Sequence, residues 1–243
     1  MADISNPNER AGWDHLFQMG VFPPRYKTFA APNESVVEWA NTLPAHSLVL
    51  DVGCGVGRHV VYLGGRGFNM AGTDISPNGV QQTQSACAER QIGFDGRVAD
   101  MTTLPWPDNT FDAVLSTATV SHHRRADILK TMDDVRRVLK PGGLFLVDFP
   151  HKDTLSYQQA RARVESGKLS EVELDTFVDE SDTPDMMDDD FLPHHYSDEA
   201  DVRDILRAFE IIKLVEELPG RTPEGGLGQR GYWVAFARKP LTD

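Results

Sequence analysis

Only two cysteines, Cys54 and Cys87, occur in 243 residues. That is too few for a disulfide framework, and they lack the paired spacing of a zinc site. A reducing, cytoplasmic setting fits this usage. No run of eighteen apolar residues exists, and Met1 to Arg10 is polar without an apolar signal core, so neither a spanning helix nor a secretory leader is expected. Positive charge is also scarce: 24 Lys+Arg face 37 Asp+Glu, for a net charge of −13. Residues 1–150 carry 13 basic and 16 acidic side chains, whereas residues 151–243 carry 11 and 21. Without a basic stripe to displace counterions, nucleic acid is a disfavoured partner and a small molecule is the expected one. No sequence repeat is present. With 40% hydrophobic and 25% charged residues, the chain has the composition of one globular domain that buries its own core, as a monomer or homodimer.

What is present is a rhythm of short apolar runs alternating with helical patterns. Asn33 is placed to cap a helix reaching about Leu43, which Pro44 ends. Ser47–Val52 reads as a strand buried on both faces, followed by glycines at 53, 55 and 57 and a helix over Arg58–Arg66. Phe68–Thr73 is a second strand ending at Asp74; Ser76-Pro77 caps a helix running to about Gln91. Phe94–Ala99 and Thr110–Ser116 are further strands, Ala126–Leu139 a helix, and Pro141-Gly142-Gly143 a turn into strand Leu144–Phe149. This alternation predicts parallel βαβ crossovers and an α/β, doubly wound, Rossmann-like mixed sheet of seven strands. A helix near Ser197–Phe209, a strand near Glu210–Val215, a Gly/Pro-rich turn and a strand over Tyr232–Ala237 should close the sheet edge antiparallel.

Four segments follow: an N-terminal flap (1–32), the ligand-binding core (33–150), an acidic insertion after the fifth strand forming a substrate lid (151–196), and a closing helix with two strands (197–243). Glu171–Asp190 holds ten acidic residues and no Lys or Arg, the composition of a solvated insertion. In the flap, Trp13, Phe17, Phe22 and Tyr26 surround Pro23-Pro24, and Arg25 and Tyr26 are its candidate ligand contacts.

The chemistry concentrates in Asp51-Val52-Gly53-Cys54-Gly55-Val56-Gly57. Closely spaced glycines after a buried strand let backbone N–H groups approach a ligand at the positive end of a helix. A dinucleotide fingerprint would need a glycine at position 58, where Arg58 stands. Asp51 beside the loop suits an amino group better than a diphosphate. Asp74, ending the second strand, offers two acceptors to ribose hydroxyls, a feature shared by NAD and adenosyl ligands. Asp100 is placed to accept from an adenine amine, with Met101 on the ring. Cys54 is read as a small residue where bulk is excluded.

The segments LVLDVGCGVG, TDIS, ADMTTLPWPDNTFDAVLS and RRVLKPGGLFLVDF, spanning about Ser47 to Phe149, resemble the successive motifs of class I S-adenosylmethionine-dependent methyltransferases. The resemblance implies that Asp51, Gly53, Cys54, Gly55 and Gly57 hold the methionine end of S-adenosyl-L-methionine. It also implies that Asp74 and Ile75 take the ribose and one adenine face, Asp100 and Met101 the adenine edge, and Thr117 the methionine side. The tail, from Pro193-His194-His195-Tyr196 through FEIIKLVEEL to YWVAFARKP, is similar to small bacterial methyltransferases of the tellurite-resistance and thiopurine-methyltransferase-like kind.

The implied reaction is in-line methyl transfer to S, N, O or a chalcogen of a small molecule. His122 and His123, past the fourth strand, are the candidate bases, with Tyr26 as a further catalytic candidate. Arg25, His123, His194, His195 and Tyr196 are candidate substrate contacts. No ligand spacing repeats among the histidines and acids, so no metal is expected. A protein or other macromolecule methyltransferase, a non-catalytic S-adenosylmethionine-binding module, and an oxidoreductase of similar fold are the alternatives.

Overall fold

The computed structural model describes residues 7–19, 31–181, 191–218 and 230–242. In chain order the helices are α1 (Pro7–Met19), α2 (Glu34–Ala40), α3 (Arg58–Gly65), α4 (Pro77–Glu89), α5 (Arg125–Val138), α6 (Leu155–Glu165) and α7 (Glu199–Ile205). The strands are β1 (Leu48–Val52), β2 (Asn69–Asp74), β3 (Phe94–Val98), β4 (Phe111–Ser116), β5 (Leu139–Pro150), β6 (Ser170–Glu173), β7 (Thr176–Val178), β8 (His194–His195), β9 (Glu210–Glu217) and β10 (Tyr232–Arg238).

Seven strands form one mixed sheet in the order β3-β2-β1-β4-β5-β10-β9. The first five pair in parallel, and β10 runs antiparallel to both β5 and β9. Helices must cover both faces, because alternate side chains of each central strand are apolar. On one face Leu50, Val52, Val114, Phe145 and Val147 pack against Ile128, Met132 and Val135 of α5 and Val202 and Ile205 of α7. On the other, Val49, Ala113, Leu115 and Leu146 meet Val36 and Trp39 of α2, Val60 and Leu63 of α3 and Val80 of α4. Each such fully buried side chain contributes about 1.5–3 kcal/mol. Strand order reverses between β1 and β4, which opens a crevice at their carboxyl ends.

Several local expectations are corrected. Within the N-terminal segment, residues 7–19 are helix α1, held by Asp14, whose Oδ1 accepts from Ser76 Oγ at 2.7 Å and Asn78 N at 3.0 Å. The segment after β5 is not simply solvated. Helix α6 and a small sheet, β6-β7-β8, build a third core from Ala160, Leu169, Phe177 and Tyr196. Its acidic residues from 182 to 190 lie outside the described residues. Pro141-Gly142-Gly143 is no separate turn, because β5 passes through it with a register shift against β4, and Gly142 N donates to Lys239 O. Asp198 caps α7, its Oδ1 accepting from Asp201 N at 2.9 Å. Asn33 occupies the first cap position of α2 without a side-chain bond to it.

Candidate active site

A cleft opens over the carboxyl ends of β1, β2, β3 and β4, enclosing about 1100 Å³ with its open mouth included. Small-molecule sites typically measure about 300–1,000 Å³. Its floor is the loop after β1. Gly53 N and Cys54 N both donate to Thr73 O, at 2.8 and 2.9 Å, which folds the loop back over β2. Gly53 has φ +78, and a Cβ there would lie 2.2 Å from Thr119 Cγ2. No other residue fits without displacing the segment after β4. Gly57 does not line the cleft; a Cβ on it would meet Thr83 at 2.8 Å, so its role is the close approach of α3 to α4.

Asp74 organises the loop from the side. Its two carboxylate oxygens accept from Gly55 N and Ser76 N, each at 2.9 Å, tying the loop to the start of α4. Burial raises its pKa to about 6, against the lowering effect of those backbone donors. Asp51 is only 2% exposed. Burial raises it to about 7, Arg58 opposing and Asp74 adding to the shift. Asp100, also buried, accepts through Oδ1 from Thr102 N at 2.8 Å and Thr102 Oγ1 at 2.7 Å. Ile75, Met101 and Thr117 line the cleft beside these acids. Burial pushes the Cys54 thiol well above its ordinary pKa, so it is a space-filling group rather than a thiolate.

The outer wall is aromatic. Trp13, Leu16 and Phe17 of α1 face the cleft, with Trp13 and Phe17 stacked at 5.8 Å. His122 meets Trp13 edge-on at 5.2 Å and His194 at 4.6 Å. His123 lines the cleft at 8% exposure, and its Nδ1 is buried without a hydrogen-bond partner. Phe191 packs over α1, its ring occupying the space where a Cβ on Gly12 would stand.

Of the expected substrate contacts, His194, His195 and Tyr196 do not line the cleft, and His194 approaches it only through its ring contact with His122. The His195 ring is spent on Thr176 Oγ1 at 2.7 Å and Asp201 Oδ2 at 2.8 Å, while Tyr196 packs against Tyr157 and Phe177. Arg25 and Tyr26 lie outside the described residues. Sequence reasoning missed Arg58, His59 and Asp148. The first two directly follow the glycine loop, at the start of α3, and were legible from that position. Asp148 accepts from Ala118 N at 2.7 Å and holds Ala118 at φ +52, a contact across two strands that no local pattern announces.

The family described as a methyltransferase domain matches residues 50–147. A mouse tRNA (carboxymethyluridine(34)-5-O)-methyltransferase, ALKBH8, is 30% identical over 170 residues, covering 66% of this chain and 24% of that protein. The 2-methyl-6-phytyl-1,4-hydroquinone methyltransferase of Synechocystis sp. is 31% identical over 151 residues, covering 58% of this chain and 46% of that protein. The chain thus spans less than half the length of either relative. Among solved structures, Burkholderia thailandensis 1,6-didemethyltoxoflavin-N1-methyltransferase, with 1,6-didemethyltoxoflavin and S-adenosylhomocysteine bound, shares the fold. Its TM-score is 0.68 at 18% identity, with 99% of this chain and 93% of that one covered.

S-adenosylmethionine is the cofactor that the match to the methyltransferase domain implies, and the residues present fit it. The bare loop at Gly53 and Gly55 leaves room that any Cβ would fill. Asp51 is a buried carboxyl suited to an ammonium, and Asp74 keeps lone pairs for hydroxyl donors beyond its two backbone bonds. Among the described residues, no cluster of three or more His, Cys, Asp or Glu side chains is placed to hold a metal ion, and no helix is long and apolar enough to cross a membrane.

Proposed function

We propose that this chain moves the methyl group of S-adenosylmethionine to a nucleophilic O, N, S or chalcogen atom of a small molecule. When bound, the cofactor supplies a methyl on a positively charged sulfur, already activated for displacement. The protein's share is to hold the acceptor about 3–3.5 Å behind that carbon, exclude water and receive any proton the acceptor loses. His123 carries this reading: the residue lines the cleft, and its buried Nδ1 has no hydrogen-bond partner that would commit the ring elsewhere. Helix α1, with Phe191 and His194 from the segment after β5, forms the lid that keeps water out. The hydroquinone and toxoflavin relatives, named for small acceptors, support the choice.

The tRNA methyltransferase relative favours a second reading, a nucleic-acid acceptor. The net charge of −13 weighs against it, since polyanion binding draws its affinity from released counterions. Radiolabelled S-adenosylmethionine, offered with phenols, heterocyclic amines and thiols and in parallel with total tRNA, separates the two. Label in the small-molecule fraction is expected. For a proton-bearing acceptor, His123→Gln should lower kcat by about 10²–10⁴ while S-adenosylhomocysteine affinity holds. Label confined to tRNA overturns the small-molecule reading.

A further inference from the structure

His59 sits at the second position of α3, 4% exposed, and lines the cleft with Thr117. Both of its ring nitrogens are engaged. The Asn33 backbone N–H lies 3.3 Å from Nε2, and Thr117 Oγ1 lies 3.3 Å from Nδ1. A backbone N–H only donates, so Nε2 must be the bare nitrogen and Nδ1 must carry the hydrogen. Thr117 Oγ1 therefore accepts from His59, and its own hydrogen must be given elsewhere. Burial, with Arg58 adjacent, lowers the imidazole pKa to about 3, so the doubly protonated form that would blur this assignment is absent at neutral pH.

We infer that His59 is a positioning residue: by holding one tautomer between Asn33 N–H and Thr117 Oγ1, it fixes the Thr117 hydroxyl as a hydrogen-bond donor aimed at the amino-acid end of the cofactor. Strand order decides which end. Thr117 follows β4 and Asp51 sits on β1, whereas Asp100 and Met101 follow β3 on the opposite flank. Thr117 and Asp51 then form a complementary pair, a donor for the carboxylate and an acceptor for the ammonium. The same relay reaches back to Asn33, the N-cap of α2, so the start of that helix and the floor of the cleft share one imidazole.

The inference rests on the cofactor assignment, and two ligands keep the two apart. S-adenosylhomocysteine carries the amino-acid end; 5′-methylthioadenosine lacks it. By calorimetric titration, His59→Leu and Thr117→Val should each weaken S-adenosylhomocysteine about tenfold, the size of one hydrogen bond to a charged group, and leave 5′-methylthioadenosine unchanged. The double variant should lose no more than either single one, because the two residues act through one bond. His59→Asn, whose amide N–H replaces Nδ1–H, should recover part of the loss. In the wild-type protein, long-range ¹H–¹⁵N spectra should give His59 a protonated Nδ1 and a bare Nε2.

Equal weakening of both ligands would make His59 structural and overturn the inference. The opposite tautomer would do the same, and that readout survives even if His59→Leu does not fold. A wild-type protein that binds neither ligand would overturn the cofactor assignment itself, a pattern unlike either of these.

Discussion

Acidifying the solution should weaken S-adenosylhomocysteine binding about tenfold per pH unit below 7, through Asp51. In the free protein that carboxyl is 2% exposed and raised to about 7 by burial, with Arg58 opposing and Asp74 adding. A ligand ammonium pairs with the ionised form. Above pH 7 the carboxylate is ready; below it, a proton must leave before the pair forms. At pH 5, two units under the raised value, the penalty is about 100-fold, or about 2.7 kcal/mol. Asp74, raised to about 6, steepens the loss below pH 6. Titration calorimetry from pH 5 to 8, in two buffers of different ionisation enthalpy, measures both the affinity and the proton released. Asp51→Asn should bind weakly at every pH and lose the slope between pH 6 and 8. A wild-type affinity that stays constant from pH 5 to 8, or an equal slope in the variant, refutes the reasoning.

Without ligand, Asp51, Asp74 and Asp148 act on the fold itself. Their folded values, about 7, 6 and 7, stand above the ordinary 3.8, in each case with burial as the largest cause. The folded chain thus holds protons that the unfolded chain releases, and stability should be fullest below pH 4 as far as these groups are concerned, falling as pH rises to 7. Urea unfolding of the free protein across that range checks the sign, and a rise contributed by these residues would contradict it. Gly53→Ala places a Cβ 2.2 Å from Thr119 Cγ2 at φ +78, a backbone cost of about 1–2 kcal/mol before any overlap; S-adenosylhomocysteine affinity should fall at least tenfold. Asp201→Ala strips acceptors from His195, Ser197 and Arg125, and chemical denaturation should report a loss of about 1–3 kcal/mol for each buried donor left without a partner.

The sequence alone determined the central sheet and one side of its cleft. Those features are local. Apolar runs of strand length mark β1, β2, β4 and β5, and the helical spacing of Ile128, Met132 and Val135 marks α5. Backbone freedom at residues 53–57 and the carboxylates at strand ends are written within a few residues of one another. Tertiary structure decided the rest, wherever a residue's role depends on a neighbour distant in the chain. Helix α1 is polar enough to pass for a loop, and it joins the site because Asp14 reaches the start of α4, 62 residues away. Of two adjacent histidines, His194 meets His122 while His195 is spent on Thr176 and Asp201; strand alternation sends neighbours to opposite sides, and only the docking of β8 fixes which. Asp148 and Ala118, His59 and Thr117, are pairs made by sheet order and crossover. Periodicity tells a side chain which way to face, but not what it will find there.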